Sequence, residues 1–320
     1  MITAMAQLGR SRIAPAWLCL KLSLSEDRLG RLDRVKRLIV NADDFGLTTG
    51  VNEAILDLHQ RGRLTSATLM AHAAASDAAI DLALATPTLG VGCHVVLVDG
   101  EPVLRPSELP TLVDQRTGRF RATLGSFVRD LLQGKIDKDE IASEAAAQIE
   151  RLRARQLRLT HVDTHKHTHM FSAVCVPLLQ AASSNGISAV RNPFEPKWSL
   201  DATIGAPLLR RLQVRILNRM HRDFRKNVTN AGFNTTDGAV GVLATGTLNS
   251  STLSSLLRAM PDGCWELVTH PGYNDAALAS AGTRLLASRA VELDALRQTQ
   301  IAEDVTLIHF GQLASNQAVT

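Results

Sequence analysis

Short apolar runs alternate with helix-period segments along most of this chain, and this alternation restricts the possible folds more than any other feature. The pattern predicts strands at 37–42, 66–71, 89–98, 159–163, 187–191, 264–270 and 305–310. It predicts intervening helices, the clearest at 51–61, 137–157, 172–184 and 283–299. Strands that alternate with helices in this way form parallel sheets. We therefore expect an α/β fold, a distorted (β/α) TIM-like barrel, complete or incomplete, of six to seven mainly parallel strands.

The first 36 residues lack this alternation. Their one apolar run, residues 14–20, is followed by Lys21 and is too short to span a bilayer. We therefore expect residues 1–36 to form a disordered extension and residues 37–320 to form the barrel. The chain has 320 residues, which is long enough for one large domain with a buried core.

Charge and cysteine content exclude some classes of protein. The net charge of +4 permits an anionic partner without requiring one, and we predict no nucleic-acid partner. The four cysteines are scattered without a C-x-x-C pair, which argues against a disulfide framework or a thiolate zinc site. We expect a cytoplasmic protein, either free or peripheral at the inner membrane. Whether it forms a homo-oligomer is left open.

Aspartate and histidine residues gather at the carboxyl ends of the predicted strands. Asp43 and Asp44 follow the first strand, His94 lies late in the third, and His270 ends a later one. The fourth strand runs into the motif "HVDTHKHTHMF" (161–171), whose titratable residues include His161, Asp163, His165, His167 and His169. In a parallel barrel these strand ends meet at one face, where such barrels carry their active sites. The sequence therefore predicts an Asp/His cluster at one mouth of the barrel.

This cluster has the donor types of a divalent metal site. Imidazole and carboxylate groups suit zinc, whereas a site with fewer nitrogens and more waters would suit magnesium. A catalytic site needs about three protein ligands and one open position. Asp44, His94 and His165 would supply one ligand each for a single Mg²⁺ or Zn²⁺ ion. Asp43 could then act as general base and His270 could protonate a leaving group.

The remaining histidines receive more ordinary interpretations. The others in the motif would orient the ligands or contact the substrate. His59, His72 and His221 lie in helical or loop segments without a partner in the pattern, and we interpret them, like His309, as structural. Helical pairing of His165 with a histidine four residues away is disfavoured because the motif begins in a strand.

Four motifs, in order, resemble the YdjC-like carbohydrate deacetylase family: "LIVNADDFGLTTGVNEAI" (38–55), "GVGCHVVLVDGEP" (90–102), "THVDTHKHTHMF" (160–171) and "THPGY" (269–273). The similarity covers about residues 37–310. It implies a distorted (β/α) barrel and a divalent metal held by Asp44, His94 and His165. It also implies that Asp43 is the base and that His270 acts in catalysis or contacts the substrate.

Further segments resemble the hopanoid-biosynthesis-associated branch of that family (HpnK). They are "AHAAASDAA" (71–79), "HVVLVDGEPVLRPSELPTLVDQRTGRFR" (94–121) and "HKHTH" (165–169). This resemblance implies deacetylation of an N-acetylglucosaminyl conjugate, a glycosylated hopanoid lipid. The alternative is a chitooligosaccharide or another N-acetylated sugar. The segment "AVRNPFEP" (189–196) only approximates the branch's arginine-proline segment, so Arg191 is a candidate for substrate contact or for support of the ligands.

Residues 206–227 combine an apolar stripe with many basic residues. Leu209, Leu212, Ile216, Met220 and Phe224 recur every three or four residues, with six arginines and Lys226 between them. A basic amphipathic helix of this kind can lie on an anionic membrane surface, and we predict peripheral membrane contact through this segment. The alternative is a helix packed on the barrel with a solvated basic face.

Two other functional classes remain open. A metal-dependent phosphoesterase would need a second metal site and phosphate-binding amides. A non-catalytic carbohydrate-binding barrel would not need metal ligands beside a spare carboxylate.

Overall fold

A single parallel sheet forms the centre of the computed structural model, which describes residues 35–316, with side-chain surroundings up to residue 313. Seven strands belong to it: β1 (Lys36–Phe45), β2 (Ser66–Leu69), β3 (Gly90–Val95), β6 (Val162–Thr164), β7 (Gly238–Val240), β8 (Gly263–Thr269) and β9 (Val305–Leu307). Their order is β6-β3-β2-β1-β8-β7, and β9 pairs with the first residues of β1. Between β3 and β6, the chain forms a separate antiparallel hairpin of β4 (Val113–Asp114) and β5 (Arg119–Phe120).

Helices follow most strands and cover the sheet. They are α1 (Thr49–Gln60), α2 (Ser76–Leu84), α3 (Leu124–Leu132), α4 (Lys138–Ala154), α5 (Ser172–Ser184), α6 (Lys197–Ala202), α7 (Leu208–Leu217), α8 (His221–Asn230), α9 (Ser250–Ala259), α10 (Ala276–Ser280) and α11 (Ala287–Gln298). Strand β1 is buried from Leu38 to its end, as expected for a central parallel strand with both faces covered. Thr48 caps α1 by accepting a hydrogen bond from the Val51 amide at 3.2 Å.

The sheet curls into a half-barrel, which confirms the predicted α/β class. The prediction of a strand at 187–191 was wrong, because this segment forms only isolated β-bridges. They join Val162 to Val190 and Ala189 to Asn234, across the gap between β6 and β7. Pro193 follows closely and lacks the amide hydrogen that a longer ladder would need.

Two further predictions of local structure need correction. Asp43 and Asp44 lie within β1 rather than after it, where the register against β2 shifts between Ala42 and Phe45. This bulge arises because Asp44 has a left-handed backbone with φ of 65°. The predicted helix at 206–227 is divided into α7 and α8 by a 3₁₀ turn at Asn218–Met220.

The predicted N-terminal extension lies outside the described residues apart from its last two. Strand β1 begins at Lys36, one residue before the predicted start of the barrel. Within residues 35–316, no helix is both long and apolar enough to cross a membrane.

Candidate metal centre and catalytic groups

The carboxyl ends of β1, β3, β6 and β8 bring the predicted polar residues together. The parallel register of β3 and β6 pairs His94 directly with Asp163, so both side chains leave the same face of the sheet. Asp43 and Asp44 stand at the end of β1, and His270 directly follows β8. All five residues are buried. The predicted convergence of distant strand ends on one site is therefore present.

Three side chains have the spacing of metal ligands. Asp44 Oδ1 lies 3.6 Å from His94 Nε2 and 3.4 Å from His165 Nδ1, and the two imidazole nitrogens are 3.3 Å apart. Ligand atoms about 2.0–2.2 Å from a tetrahedral metal lie about 3.4 Å from one another. The donor set of one carboxylate and two imidazoles therefore fits a single divalent ion of the zinc type.

Asp163 orients His94 for this role. Asp163 Oδ1 accepts a hydrogen bond from His94 Nδ1 at 2.8 Å, so the Nε2 atom faces Asp44 and His165. A carboxylate partner of this kind fixes the tautomer and the ring orientation of a ligating histidine. Burial alone would lower the pKa of His94, but the charge and hydrogen bond of Asp163, with the two neighbouring aspartates, raise it to about 9.

A buried arginine holds the other predicted ligand, Asp44. Arg289 Nη2 donates to Asp44 Oδ2 at 2.5 Å, which leaves Oδ1 facing the two histidines. The turn after Asp44 is fixed by Asn52, whose Oδ1 accepts a hydrogen bond from the Gly46 amide at 2.7 Å. Burial raises the pKa of Asp44, but Arg289 and His165 outweigh that effect and hold it well below its usual value.

Asp43 is ionised and held rigidly. Arg191 binds both of its oxygens, at 2.6 and 2.9 Å, and Thr68 and Asn41 each donate to Oδ1 at 3.0 Å. Burial raises the pKa of Asp43, but Arg191 and the neighbouring histidines bring it far below its usual range. Asp43 is therefore deprotonated beside the predicted metal ligands, the form that a proton acceptor needs.

Arg191 connects several of the acids and does not reach the solvent. Besides Asp43, its guanidinium contacts Asp163 Oδ2 and Glu266 Oε1, the latter at 2.7 Å. The side chain is fully buried. Of the two roles considered for Arg191, the contacts are those of a residue that supports the acids of the site.

His270 lies close to Asp43. Its Nε2 atom lies 3.7 Å from Asp43 Oδ2, and its backbone amide donates to Glu292 Oε2 at 2.6 Å. Its Nδ1 atom lies 3.8 Å from the same Glu292 oxygen. Burial lowers the pKa of His270, but Glu292 and the two aspartates outweigh that effect and raise it above its usual value. These neighbours therefore favour the protonated form of His270 beside the carboxylate of Asp43.

Only one of the four clustered histidines reaches the three-ligand group. The ring of His161 stacks on Phe310, with centroids 3.7 Å apart, and its Nδ1 atom lies 2.9 Å from Thr160 Oγ1. A Cβ atom at Gly92 would collide with this ring, so β3 leaves room for it. His161 therefore belongs to the packing beneath the site.

His169 and His167 shape the loop that presents His165. His169 Nδ1 lies 2.7 Å from Thr164 Oγ1, and its Nε2 atom lies 3.2 Å from the Arg191 carbonyl oxygen. Lys166 and His167 both have left-handed backbones, with φ of 56° and 54°. Burial, with the charge of Arg191, lowers the pKa of His167 to about 3, so this imidazole is neutral.

The charges of the buried groups favour a cation. Five buried carboxylates surround the site, and they are Asp43, Asp44, Asp163, Glu266 and Glu292. Among residues 35–313, two buried arginines, Arg191 and Arg289, face them. Burial raises the pKa of Glu266 to about 7 even though Arg191 lowers it. The arginines offset two of the five carboxylates, and protons on His94 and His270 or a bound divalent ion would offset others.

Sequence reasoning missed several members of this site. Arg289 and Glu292 lie one turn apart on α11, which carries them to the same side of the helix. Glu266 lies inside β8, where a charged residue in an otherwise apolar strand was the available signal. The histidines interpreted as structural stay outside the cluster. His59, for example, bonds the Leu64 carbonyl oxygen and Thr88 Oγ1 at 2.7 and 2.8 Å.

Comparison with known proteins identifies relatives along nearly the whole barrel. Residues 37–306 match the model of the family described as YdjC-like protein. A carbohydrate deacetylase of Brevibacillus brevis is 31% identical over 286 residues, which cover 87% of this chain and 99% of the relative. A carbohydrate deacetylase of Halalkalibacterium halodurans is 30% identical over 272 residues, covering 85% of this chain and all (100%) of the relative.

One further relative matches about half of the chain, and one solved structure has a similar fold. A chitooligosaccharide deacetylase of Salmonella paratyphi B is 39% identical over 153 residues, covering 47% of this chain and 57% of the relative. The crystal structure of an Enterococcus faecalis protein, described as a cellobiose-phosphate cleavage protein, is similar with a TM-score of 0.67 and 23% identity. The similarity covers 86% of this chain and 98% of that one, and it shows a shared fold.

Proposed function

The chain belongs to the YdjC-like protein family, and from that premise we propose that it is a metal-dependent carbohydrate deacetylase, a hydrolase of acetamide bonds. One observation carries the proposal. Asp44, His94 and His165 form a three-ligand group beside an ionised carboxylate, Asp43, which lies 3.7 Å from His270, an imidazole whose pKa is raised. Hydrolysis of an acetamide needs a polarised carbonyl, a base for water and an acid for the leaving amine, and this arrangement supplies groups for all three.

Each residue has a role in the proposed mechanism. Asp44, His94 and His165 hold the divalent ion, and Asp163 and Arg289 orient two of them. When bound, such an ion supplies Lewis-acid polarisation of a carbonyl and lowers the pKa of water. Asp43 accepts a proton from the attacking water, and Arg191 keeps this carboxylate ionised and aligned. His270 then donates the proton that the departing amine requires, while Glu292 favours the protonated form of His270.

The finer proposal concerns the substrate. We propose an N-acetylglucosaminyl conjugate, and specifically a glycosylated hopanoid lipid, on the basis of the branch motifs at 71–79 and 94–121. The alternative is a chitooligosaccharide or another free N-acetylated sugar, the kind of substrate named for the Salmonella relative. A lipid-linked substrate would require the enzyme to approach a membrane from the water side.

The rival functions have less support. In a second group, Asp43, His94 and Asp163, the possible ligand atoms also lie within 4.8 Å of one another. Its carboxylates are already engaged, because Arg191 binds Asp43 and Asp163 while Asp163 also binds His94. This group is therefore a poor second metal site, and a two-metal phosphoesterase mechanism has less support. A non-catalytic binding barrel would not need the close Asp43–His270 pair.

Acetate release tests the proposal directly. The purified chain, loaded with Zn²⁺ or Mg²⁺, is incubated with N-acetylglucosamine oligomers and with an N-acetylglucosaminyl lipid, and free acetate and free amine are measured. We expect both products in equal amounts, loss of activity with a chelator, and recovery when the metal is restored. No acetate from either substrate class with fully loaded protein would refute the deacetylase assignment.

A further inference from the structure

Helix α7 and the residue Ile204 before it present large aliphatic side chains to the solvent. Leu208, Leu209, Leu212 and Ile216 are 85%, 69%, 55% and 49% exposed, and Ile204 is 66% exposed. We call these five residues the outer apolar face. Contiguous exposed apolar surface on a folded protein marks an interaction site far more often than isolated exposed residues do.

The polarity of α7 is inverted relative to an ordinary surface helix. Leu208, Leu212 and Ile216 are spaced by four residues, so they lie on one side of the helix, and Leu209 lies next to them. The opposite side carries Val214, the one residue of α7 that is buried. An amphipathic helix that served only to pack on the barrel would turn its leucines inward.

Two arginines of α7 are directed toward the protein body. Arg210 donates to the Val242 carbonyl oxygen at 3.0 Å. Arg211 donates to the carbonyl oxygens of Leu200 at 2.7 Å, of Ala206 at 3.3 Å, and of Thr203. These bonds fix which side of the helix faces inward. The predicted alternative, a packed apolar stripe with a solvated basic face, is therefore wrong for α7.

Basic residues border the outer apolar face. Arg215 and Arg219 lie beside Ile216 along the chain, and Arg222, Arg225 and Lys226 continue along α8. All five are exposed, and within residues 35–313 none of them forms a side-chain hydrogen bond or ion pair. Asp223 is the one acidic residue between positions 202 and 236. The apolar face therefore has a positively charged border.

Helix α8, which follows α7 in the chain, lies next to segments that carry the site. Helix α8 packs against the histidine loop, where the rings of Phe224 and His169 have centroids 6.2 Å apart. Phe194, which follows the Arg191 segment, contacts both His221 and Phe224, with ring centroids 5.2 and 5.5 Å apart. Through these contacts, α8 connects α7 to the histidine loop and to the segment after Arg191.

We propose that the outer apolar face, formed by Ile204, Leu208, Leu209, Leu212 and Ile216, docks on the surface of an anionic lipid bilayer. The aliphatic side chains enter the interfacial region, and Arg215 and Arg219 contact lipid phosphates at its edge. A second copy of this chain is the weaker candidate, because a two-fold interface would bring two identical arginine borders together. The docking does not depend on the proposed deacetylase activity.

Sedimentation with vesicles tests the docking. The full chain is mixed with phosphatidylcholine vesicles that contain or lack phosphatidylglycerol, at low and high salt. We expect binding to the anionic vesicles that weakens at high salt, as expected for a basic border. The variant Leu208→Ser/Leu212→Ser/Ile216→Ser should bind the anionic vesicles at least about tenfold more weakly than the parent. Leu132→Ser is the matched control, since Leu132 is 73% exposed at the end of α3.

Further measurements separate docking from misfolding and from self-association. Melting curves should show that the triple variant is as stable as the parent, because its side chains make few contacts in the folded protein. In Leu212→Trp, quenching by brominated lipid should report entry of this position into the bilayer even if the triple variant fails to fold. No vesicle binding by the parent would overturn the proposal, as would equal binding by parent and triple variant. A parent dimer that the triple variant converts to a monomer, without vesicle binding, would identify a second copy as the occupant.

Discussion

Arg289 Nη2 lies 2.5 Å from Asp44 Oδ2, although the two residues are 245 positions apart in the chain. The contact occupies one oxygen of Asp44 and leaves Oδ1 directed at His94 and His165. Because Arg289 is fully buried on α11, it can hold this carboxylate in a single orientation. The geometry of the three-ligand group therefore depends on Arg289, although Arg289 forms no hydrogen bond to His94 or His165.

Replacement of Arg289 should weaken metal binding. Loss of a partner that orients a metal ligand typically costs about 10–100-fold in affinity. We expect Arg289→Ala to lose affinity for Zn²⁺ in this range, and Arg289→Lys to recover part of it. Isothermal titration with Zn²⁺ measures the effect. Arg297→Ala is the control on the same helix, since Arg297 pairs with Asp57 and Tyr273 instead. Equal affinities for parent and Arg289→Ala would show that Arg289 has no part in ligand orientation.

Replacement of Asp43 should separate metal binding from turnover. Asp43→Asn keeps the shape of the side chain but removes the proton acceptor, which typically costs about 10²–10⁴ in rate. We expect the metal content to stay at the parent's level while acetate release falls by this factor. Metal analysis and steady-state kinetics on the same preparation measure both. Full turnover by Asp43→Asn would exclude Asp43 as the base.

Two histidines of one motif should behave differently. His165→Ala should lose the bound metal, because its Nδ1 atom is one of the three candidate ligand atoms. His161→Gln should keep the metal, because His161 stacks on Phe310 and bonds Thr160. Metal content after dialysis distinguishes the two variants. Retention of the metal by His165→Ala, or its loss in His161→Gln, would contradict this assignment of ligands.

Metal affinity should depend on pH through His94. Without metal, Asp163 and the aspartates raise the pKa of His94 to about 9 against the effect of burial. Below that pKa the imidazole carries a proton that a metal ion must displace. Affinity should therefore rise with pH by about tenfold per unit until the pH reaches the pKa. Titrations in buffers of different ionisation enthalpy should reveal the released proton. An affinity that does not change between pH 6 and pH 8, which lie roughly three units and one unit below the pKa, would contradict the prediction.

Residues 1–34 should be dispensable for the barrel. The sequence gives them no regular apolar period with which to join it. Lys36 must be kept, since it opens β1 and forms an ion pair with Asp304 at 2.8 Å. We expect a chain that begins at residue 35 to melt within about a degree of the parent, because a 1 kcal/mol loss would lower Tm by about 2–4 °C. A loss of several degrees in calorimetry would show that the segment packs on the body.

Local pattern was sufficient to predict the fold class and the proximity of Asp44, His94 and His165. The alternation of strands and helices predicted a parallel sheet, and a parallel sheet brings the carboxyl ends of its strands to one edge. Asp44, His94 and His165 could therefore be predicted as neighbours without coordinates. The short strand β7 was missed because three residues, Gly238–Val240, carry too little periodicity to distinguish a strand from a loop.

The sequence by itself determined where chemistry-bearing residues stand along the strands, and that α7 carries an apolar stripe with arginines between its members. Only the tertiary structure decided which partners these groups obtained. Arg289 binds Asp44 and Arg191 binds Asp43 because segments far apart in the sequence pack together in the fold. A local sequence pattern cannot predict such long-range contacts. The same holds for α7, whose outward side was decided by the carbonyl oxygens of Val242 and Leu200. A buried guanidinium needs acceptors, and these acceptors exist only on the inner side once the chain has folded around them.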